Sequence, residues 1–325
     1  MPNTIKSVRI GTVERKKAGE SEFKPVSEGT TLVSGDRLKT SADAVVRVKC
    51  SNGAEKPVPA GTETPVNQLC PPSLGRGGNP EIPYIISPRD TRILTDKPTL
   101  RWNCATGANS FTVTLRNGEL EWTEQVSQEQ VCQGNVCELS YPEDKPVLQP
   151  GVSYKLVVKA DTNRSSTEDI PPGFTTLDEQ EAEEVRTIAQ QIEEEDLPAT
   201  AKIIELADYY ADRNLIAEAI EILEGLAQEE KSVAVYRRLG DLYSSIGLTR
   251  EAEVAYNEAI QLPEAAEDIQ ELAAVKAGLG EVKFALNDKD EAIRLLEEAK
   301  VDYENLGDAQ RAEEVKERIA EISAM

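Results

Sequence analysis

From residue 178 onward apolar side chains return every three or four positions, whereas before it they alternate with polar ones in short runs. The first pattern predicts helices and the second predicts strands. In the stretch from Val233 to Pro263, Tyr236, Leu239, Gly240 and Tyr243 share one helical face. Gly247 interrupts it, and Ala252, Tyr256 and Ala259 resume it. Two helices folded back on each other follow, with Gly240 and Ala252 letting the backbones approach and the rings filling the space beside them. Moving 33 positions toward the N-terminus gives Leu206, Ala207, Tyr210, Ala219 and Leu223. Moving 40 the other way gives Leu279, Gly280, Lys283, Ala292 and Leu296, then Ala299, with the extra length placed in a joint near 264–270. Three such pairs can bury a continuous face that one pair cannot. Helices over 178–195 and 309–322 are expected to cap the ends.

This order of large, small and aromatic positions resembles the tetratricopeptide (TPR) repeat, whose unit is about 34 residues. The resemblance implies a solenoid with a concave groove lined by the first helix of each pair. Counted from Thr200, Val233 and Ala273, the positions facing that groove are Ala201, Ile204, Asp208 and Ala211, then Ala234, Arg237, Asp241 and Ser244, then Ala274, Ala277, Glu281 and Phe284. TPR domains that clamp a C-terminal carboxylate use Lys and Asn at such positions, which Asp208, Asp241 and Glu281 replace. The expected partner is therefore a protein or peptide segment carrying Lys or Arg beside an apolar anchor, with Ile204 and Phe284 as apolar contacts.

In the first 72 residues, the runs VRIGTV, TTLVSGDRLKT, AVVRVKC and KPVPAGTETPV read as strands, and Asn52-Gly53 as a hairpin turn. The order Gly11-Thr12-Val13, Gly29, Leu32, Gly35-Asp36-Arg37-Leu38, Thr40-Ser41, Asn52-Gly53, Val58 and Gly61-Thr62 is similar to the FecR-type domain of bacterial envelope proteins, with Gly35-Asp36 expected in a tight turn. Residues 73–83, rich in Pro and Gly, read as a linker; their glycines are not followed by the Gly-Lys-Ser/Thr of a phosphate loop. Strands recur over 84–177, with Trp102 suited to a core, Cys104 to a buried strand position and Asn117-Gly118 to a hairpin. Pro-Thr-Leu-Arg-Trp and Leu-Gln-Pro-Gly-Val-Ser-Tyr carry a resemblance to a fibronectin type III or immunoglobulin-like sandwich. Asn163-Arg164-Ser165 reads as a polar hairpin tip. The expected fold is thus multidomain: an all-β half, FecR-like over 1–72 and a sandwich over 84–177, then an all-α TPR solenoid over 178–325. The order resembles multidomain envelope proteins of bacteria, cyanobacterial ones among them.

Charge and chemistry narrow the function. Residues 1–72 carry 11 basic and 8 acidic side chains, whereas 178–325 carry 15 and 38, so the net charge of −23 resides in the helical half. Nucleic acid and anionic lipid would be repelled there. No run of 18 apolar residues predicts membrane insertion. The chain contains no histidine, which removes Ser-His-Asp, Cys-His and histidine-metal arrangements. Its carboxylate-rich segments fit helix surfaces and first turns. No enzyme, metal or cofactor is expected. All five cysteines lie in the β half, where Cys50 with Cys70, and Cys132 with Cys137, flank turns. Disulfides are one reading of these pairs and structural thiols the other. Disulfides favour a periplasmic or other extracytoplasmic location, with the cytoplasm as the alternative. The N-terminus lacks the apolar core of a signal peptide. Two functions fit: an interaction scaffold whose groove holds a partner while the β domains attach to an envelope component such as cell-wall glycan, or a sensory subunit receiving a signal through the FecR-like domain.

Overall fold

The computed structural model describes residues 3–17, 22–32, 36–49, 55–69, 79–169, 173–262 and 268–324. An N-terminal half rich in β-sheet precedes a C-terminal region that is helical throughout, as the change of hydrophobic period predicts. The first unit contains β1 (Asn3–Ile10), β2 (Val13–Lys16), β3 (Lys24–Pro25), β4 (Thr31–Leu32), β5 (Arg37–Thr40), β6 (Val45–Lys49), β7 (Glu55–Val58) and β8 (Glu63–Pro65), followed by α1 (Val66–Leu69). Its strands form two antiparallel sheets, ordered β4-β1-β6-β7 and β3-β2-β5-β8. Alternation decides the faces: Val46 and Val48 are buried while Val45 and Arg47 point outward. Asp36 is fully buried, 3.7 Å from Arg15 Nη1, and its carbonyl accepts the Val66 amide at 2.8 Å. Gly35, Asn52-Gly53, Cys50 and Cys70 lie outside the described residues.

The second unit is a sandwich of β9 (Ile85–Ser87), β10 (Thr91–Ile93), β11 (Leu100–Asn103), β12 (Ser110–Arg116), β13 (Glu121–Ser127), a short α2 (Gln128–Val131), β14 (Cys132–Gln133), β15 (Val136–Leu139), β16 (Ser153–Ala160) and β17 (Gly173–Thr176). Five strands run in the order β10-β17-β16-β12-β13 and four in the order β14-β15-β11-β9. Trp102, Phe111, Tyr154 and Phe174 fill the space between them, with the Trp102 and Phe111 rings edge to face at 5.7 Å. The hairpin joining β12 and β13 has a four-residue loop, 117–120, between the paired Arg116 and Glu121. Asn117 serves it through its side chain, accepting the Glu119 amide at 2.7 Å and the Leu120 amide at 2.5 Å. Cys104 departs from the strand position expected of it: β11 ends at Asn103, and Cys104 is half-buried just beyond. Asn163 does form a hairpin tip, at φ +65°.

Eight helices follow among the described residues: α3 (Glu179–Glu194), α4 (Ala199–Asp212), α5 (Ile216–Glu229), α6 (Val233–Ser245), α7 (Thr249–Gln261), α8 (Ile269–Ala285), α9 (Lys289–Asn305) and α10 (Ala309–Ala324). They stack as antiparallel hairpins, α4 with α5, α6 with α7 and α8 with α9, between α3 and α10. Each tight turn carries one residue of positive φ, namely Asn214, Gly247, Asn287 and Gly307. Gly240 and Gly278 both press against the Cε1–Cζ edge of one ring, since a Cβ at either would lie 2.5 Å from Tyr256. Helix α8 begins at Ile269, four residues before the position aligned with the other repeats, and residues 264–267 of the expected joint lie outside the described residues.

Candidate functional site

The first helices of the three pairs bring the expected groove residues onto successive repeats, and each carboxylate among them meets an arginine. Asp208 of α4 accepts Arg238 Nε at 3.0 Å and Nη2 at 3.1 Å from α6. Arg237 of α6 binds Asp241 at 2.5 Å one turn on and also reaches Glu271 of α8. Glu281 of α8 receives Arg318 Nε and Nη2 of α10, both at 2.8 Å, and the same guanidinium lies 5.2 Å from the Phe284 ring centre. Asp241 additionally accepts the Tyr256 hydroxyl at 2.6 Å. Ile204 is half-buried against the helical core, and Ser244 is half-buried near the end of α6. The three acids expected in the groove thus take part in ion pairs that run from α4 through α6 and α8 to α10. Repeat spacing signals it, because Asp208 and Arg238 are 30 residues apart and Arg237 and Glu271 are 34 apart. Sequence reasoning named the three acids and Arg237 but neither Arg238 nor Arg318.

A second set of contacts joins the sandwich to the helices. Ile82, Tyr84 and Ile86 belong to the same apolar cluster as Leu223, Leu239, Tyr243 and Tyr256. Helix α5 has no side-chain cap of its own, and Thr91 of β10 supplies one, its Oγ1 accepting the amides of Ile216 at 2.8 Å and Ala217 at 3.3 Å. Arg89 is buried with Asp169 at 3.1 Å and donates Nε to the Ile246 carbonyl at 2.7 Å. Arg101 clasps Glu224 of α5 at 2.7 and 3.2 Å, and the Tyr243 hydroxyl donates to the same carboxylate. Tyr84 donates to Glu251 at 2.8 Å, and the Leu94 amide donates to Glu218 at 2.6 Å. Glu218 and Glu251 hold the same place in successive repeats, 33 residues apart, and each keeps its second carboxylate oxygen buried with no hydrogen-bond partner among the described residues. Burial pushes Glu218 up to about 7, against the lowering effect of the Leu94 amide; burial likewise raises Glu251 despite the Tyr84 hydrogen bond. The third repeat has Glu291 at this place, paired on its own helix with Arg294. Below the junction a cleft of about 1120 Å³ opens between the sandwich, α3 and α5, bordered by Asp96, Glu138, Glu179, Glu183 and Glu221 with Arg101 and Arg186.

Cys132 and Cys137 form a disulfide across β14 and β15. Cys104 accepts a hydrogen bond from Gln128 Nε2 at 3.1 Å, and its sulfur lies within 4.8 Å of both bridge sulfurs.

No protein-family model and no curated protein matches this chain. Among solved structures, it is similar to the MamA protein, at 22% identity over 39% of this chain and 74% of that one, with a TM-score of 0.29. It is also similar to a Podosopora anserina kinesin light chain-type protein with nearly identical TPR-like repeats, at 22% identity over 45% and 87%, with a TM-score of 0.31. BtubC from P. vanneervenii aligns at 20% identity over 45% and 73%, also at 0.31. At such scores the likeness carries nothing about what this chain binds.

Proposed function

We propose that this chain is a non-enzymatic interaction scaffold, in which the sandwich is fixed to one edge of the helical array and the groove side holds a segment of another protein. The division of surfaces carries this reading. The hydrogen bonds from the sandwich end on α3, α5, the start of α7 and the turns before α5 and α7. They leave Asp208, Arg237, Asp241, Glu281 and Phe284 to the opposite use. A partner bearing Lys or Arg beside an apolar anchor would exchange with Arg238, Arg237 and Arg318 for the groove acids and set its apolar side chain by Ile204 and Phe284. Such an exchange weakens with salt. The Cys132–Cys137 bridge supports an extracytoplasmic location, and attachment of the β units to an envelope component follows from that reading.

The test is capture from envelope extracts with the intact chain, followed by cross-linking through Lys202, Lys276 and Lys283. Cross-links from the captured protein to α4 and α8 are expected. The isosteric variant Asp208→Asn, Asp241→Asn, Glu281→Gln should lose most of the capture while staying folded, since it leaves the groove arginines to repel a basic segment. Undiminished capture by that variant would move the site elsewhere.

A further inference from the structure

The register of the four-stranded sheet brings three sulfurs to one spot. Trp102 pairs with Cys137, and just beyond the end of β11 the Cys104 amide donates to the Asn135 carbonyl at 2.8 Å, which holds Cys104 beside β15. Cys137 pairs in turn with Cys132. Strand β15 lies between β14 and β11, so Cys137 has its bridge partner on one side, while on the other side Trp102 pairs with it and Cys104 follows just past the end of β11. The three sulfur atoms all lie within 4.8 Å of one another. Gln128 Nε2 donates to the Cys104 sulfur at 3.1 Å, which fixes the side chain beside the bridge. Cys137 is fully buried, so solvent thiols have no direct path to it, whereas Cys104 and Cys132 are half-buried.

We propose that Cys104, Cys132 and Cys137 form a thiol–disulfide exchange centre in which Cys104 is the nucleophile and Cys137 the attacked sulfur. The Cys104 thiolate forms a bond to Cys137 Sγ as the Cys137–Cys132 bond breaks. The electron pair of the broken bond leaves on Cys132, which takes up the proton that Cys104 gave up. One disulfide replaces another, nothing is oxidised or reduced overall, and the reactive thiol moves from the end of β11 to β14. Exchange takes place on the strand that abuts the helices, since Val136 beside Cys137 packs on the helical core. This inference is independent of the partner-binding reading.

The experiment uses the full, oxidised chain, alkylated with iodoacetamide at mildly alkaline pH under native conditions and mapped by mass spectrometry of unreduced peptides. Carbamidomethyl groups are expected on Cys132 as well as Cys104, together with a Cys104–Cys137 bridge beside the Cys132–Cys137 one. In Cys104→Ser, alkylation of Cys132 should fall about tenfold or more, because the thiolate that displaces it is gone. In Cys132→Ser, air oxidation should join Cys104 to Cys137. Label confined to Cys104 with a sole Cys132–Cys137 bridge in the native chain would overturn the proposal, and so would a folded Cys132→Ser chain in which both remaining thiols stay open to alkylation.

Discussion

A methyl group at position 240 would land 2.5 Å from the Tyr256 ring, which is 2% exposed and tied through its hydroxyl to Asp241 at 2.6 Å. The ring has little room to yield, because Gly278 of the next repeat also closes on its Cε1 and Cζ and on the hydroxyl. Gly240→Ala should therefore cost about 1–3 kcal/mol, read as a lower urea midpoint; an unchanged midpoint would contradict this packing. The small residue and the ring were both legible from helical spacing, but the second glycine was not, because it lies in a different repeat. Glu218 gives a test in pH. Its carboxyl is raised in the folded chain from 4.5 to about 7, so between those values the folded state holds more proton than the unfolded one. Stability falls as pH rises through that window and levels off above it. Glu218→Gln keeps an acceptor for the Leu94 amide and removes the ionisation. It should be more stable than the native chain by roughly 1–3 kcal/mol at pH 8 and differ little at pH 4.5. Equal denaturation midpoints at pH 8 would refute the burial of this charge.

At the scale of elements, the helices were the most legible part, because each has enough turns for its apolar face to repeat. Helix α3 begins at a cap made by Asp178, which accepts the Glu181 amide at 2.8 Å. The turn residues Asn214 and Asn287 stand where Gly247 stands in the middle repeat, and their equivalence was available at repeat spacing. The cap on α5 was not. Thr91 lies 125 residues from Ile216, so no local pattern marks it. Thr91→Val keeps the side-chain shape and removes the acceptor, leaving the Ile216 amide buried and unpaired. A loss of about 0.5–2 kcal/mol is expected, with faster amide exchange in the first turn of α5. Exchange unchanged there would show that the sandwich does not terminate this helix.

For the whole molecule, the decisive feature is the fit between sandwich and helical array, which composition could not reveal. The Pro- and Gly-rich stretch before the sandwich read as a linker, and its Ile82 is buried in the helical core, with Tyr84 and Ile86 just after it. Pairs such as Arg101 with Glu224 and Tyr84 with Glu251 are separated by 123 and 167 residues. Cores shared between units couple their unfolding. The protein carries its own probes for this, because its two tryptophans, Trp102 and Trp122, both sit in the sandwich core while far-ultraviolet ellipticity reports chiefly on the helices. The most direct measurement of the account is therefore one urea titration followed by both signals. Coincident transitions are predicted, as expected of a scaffold built as one body. Loss of helical ellipticity with tryptophan emission still native would contradict it.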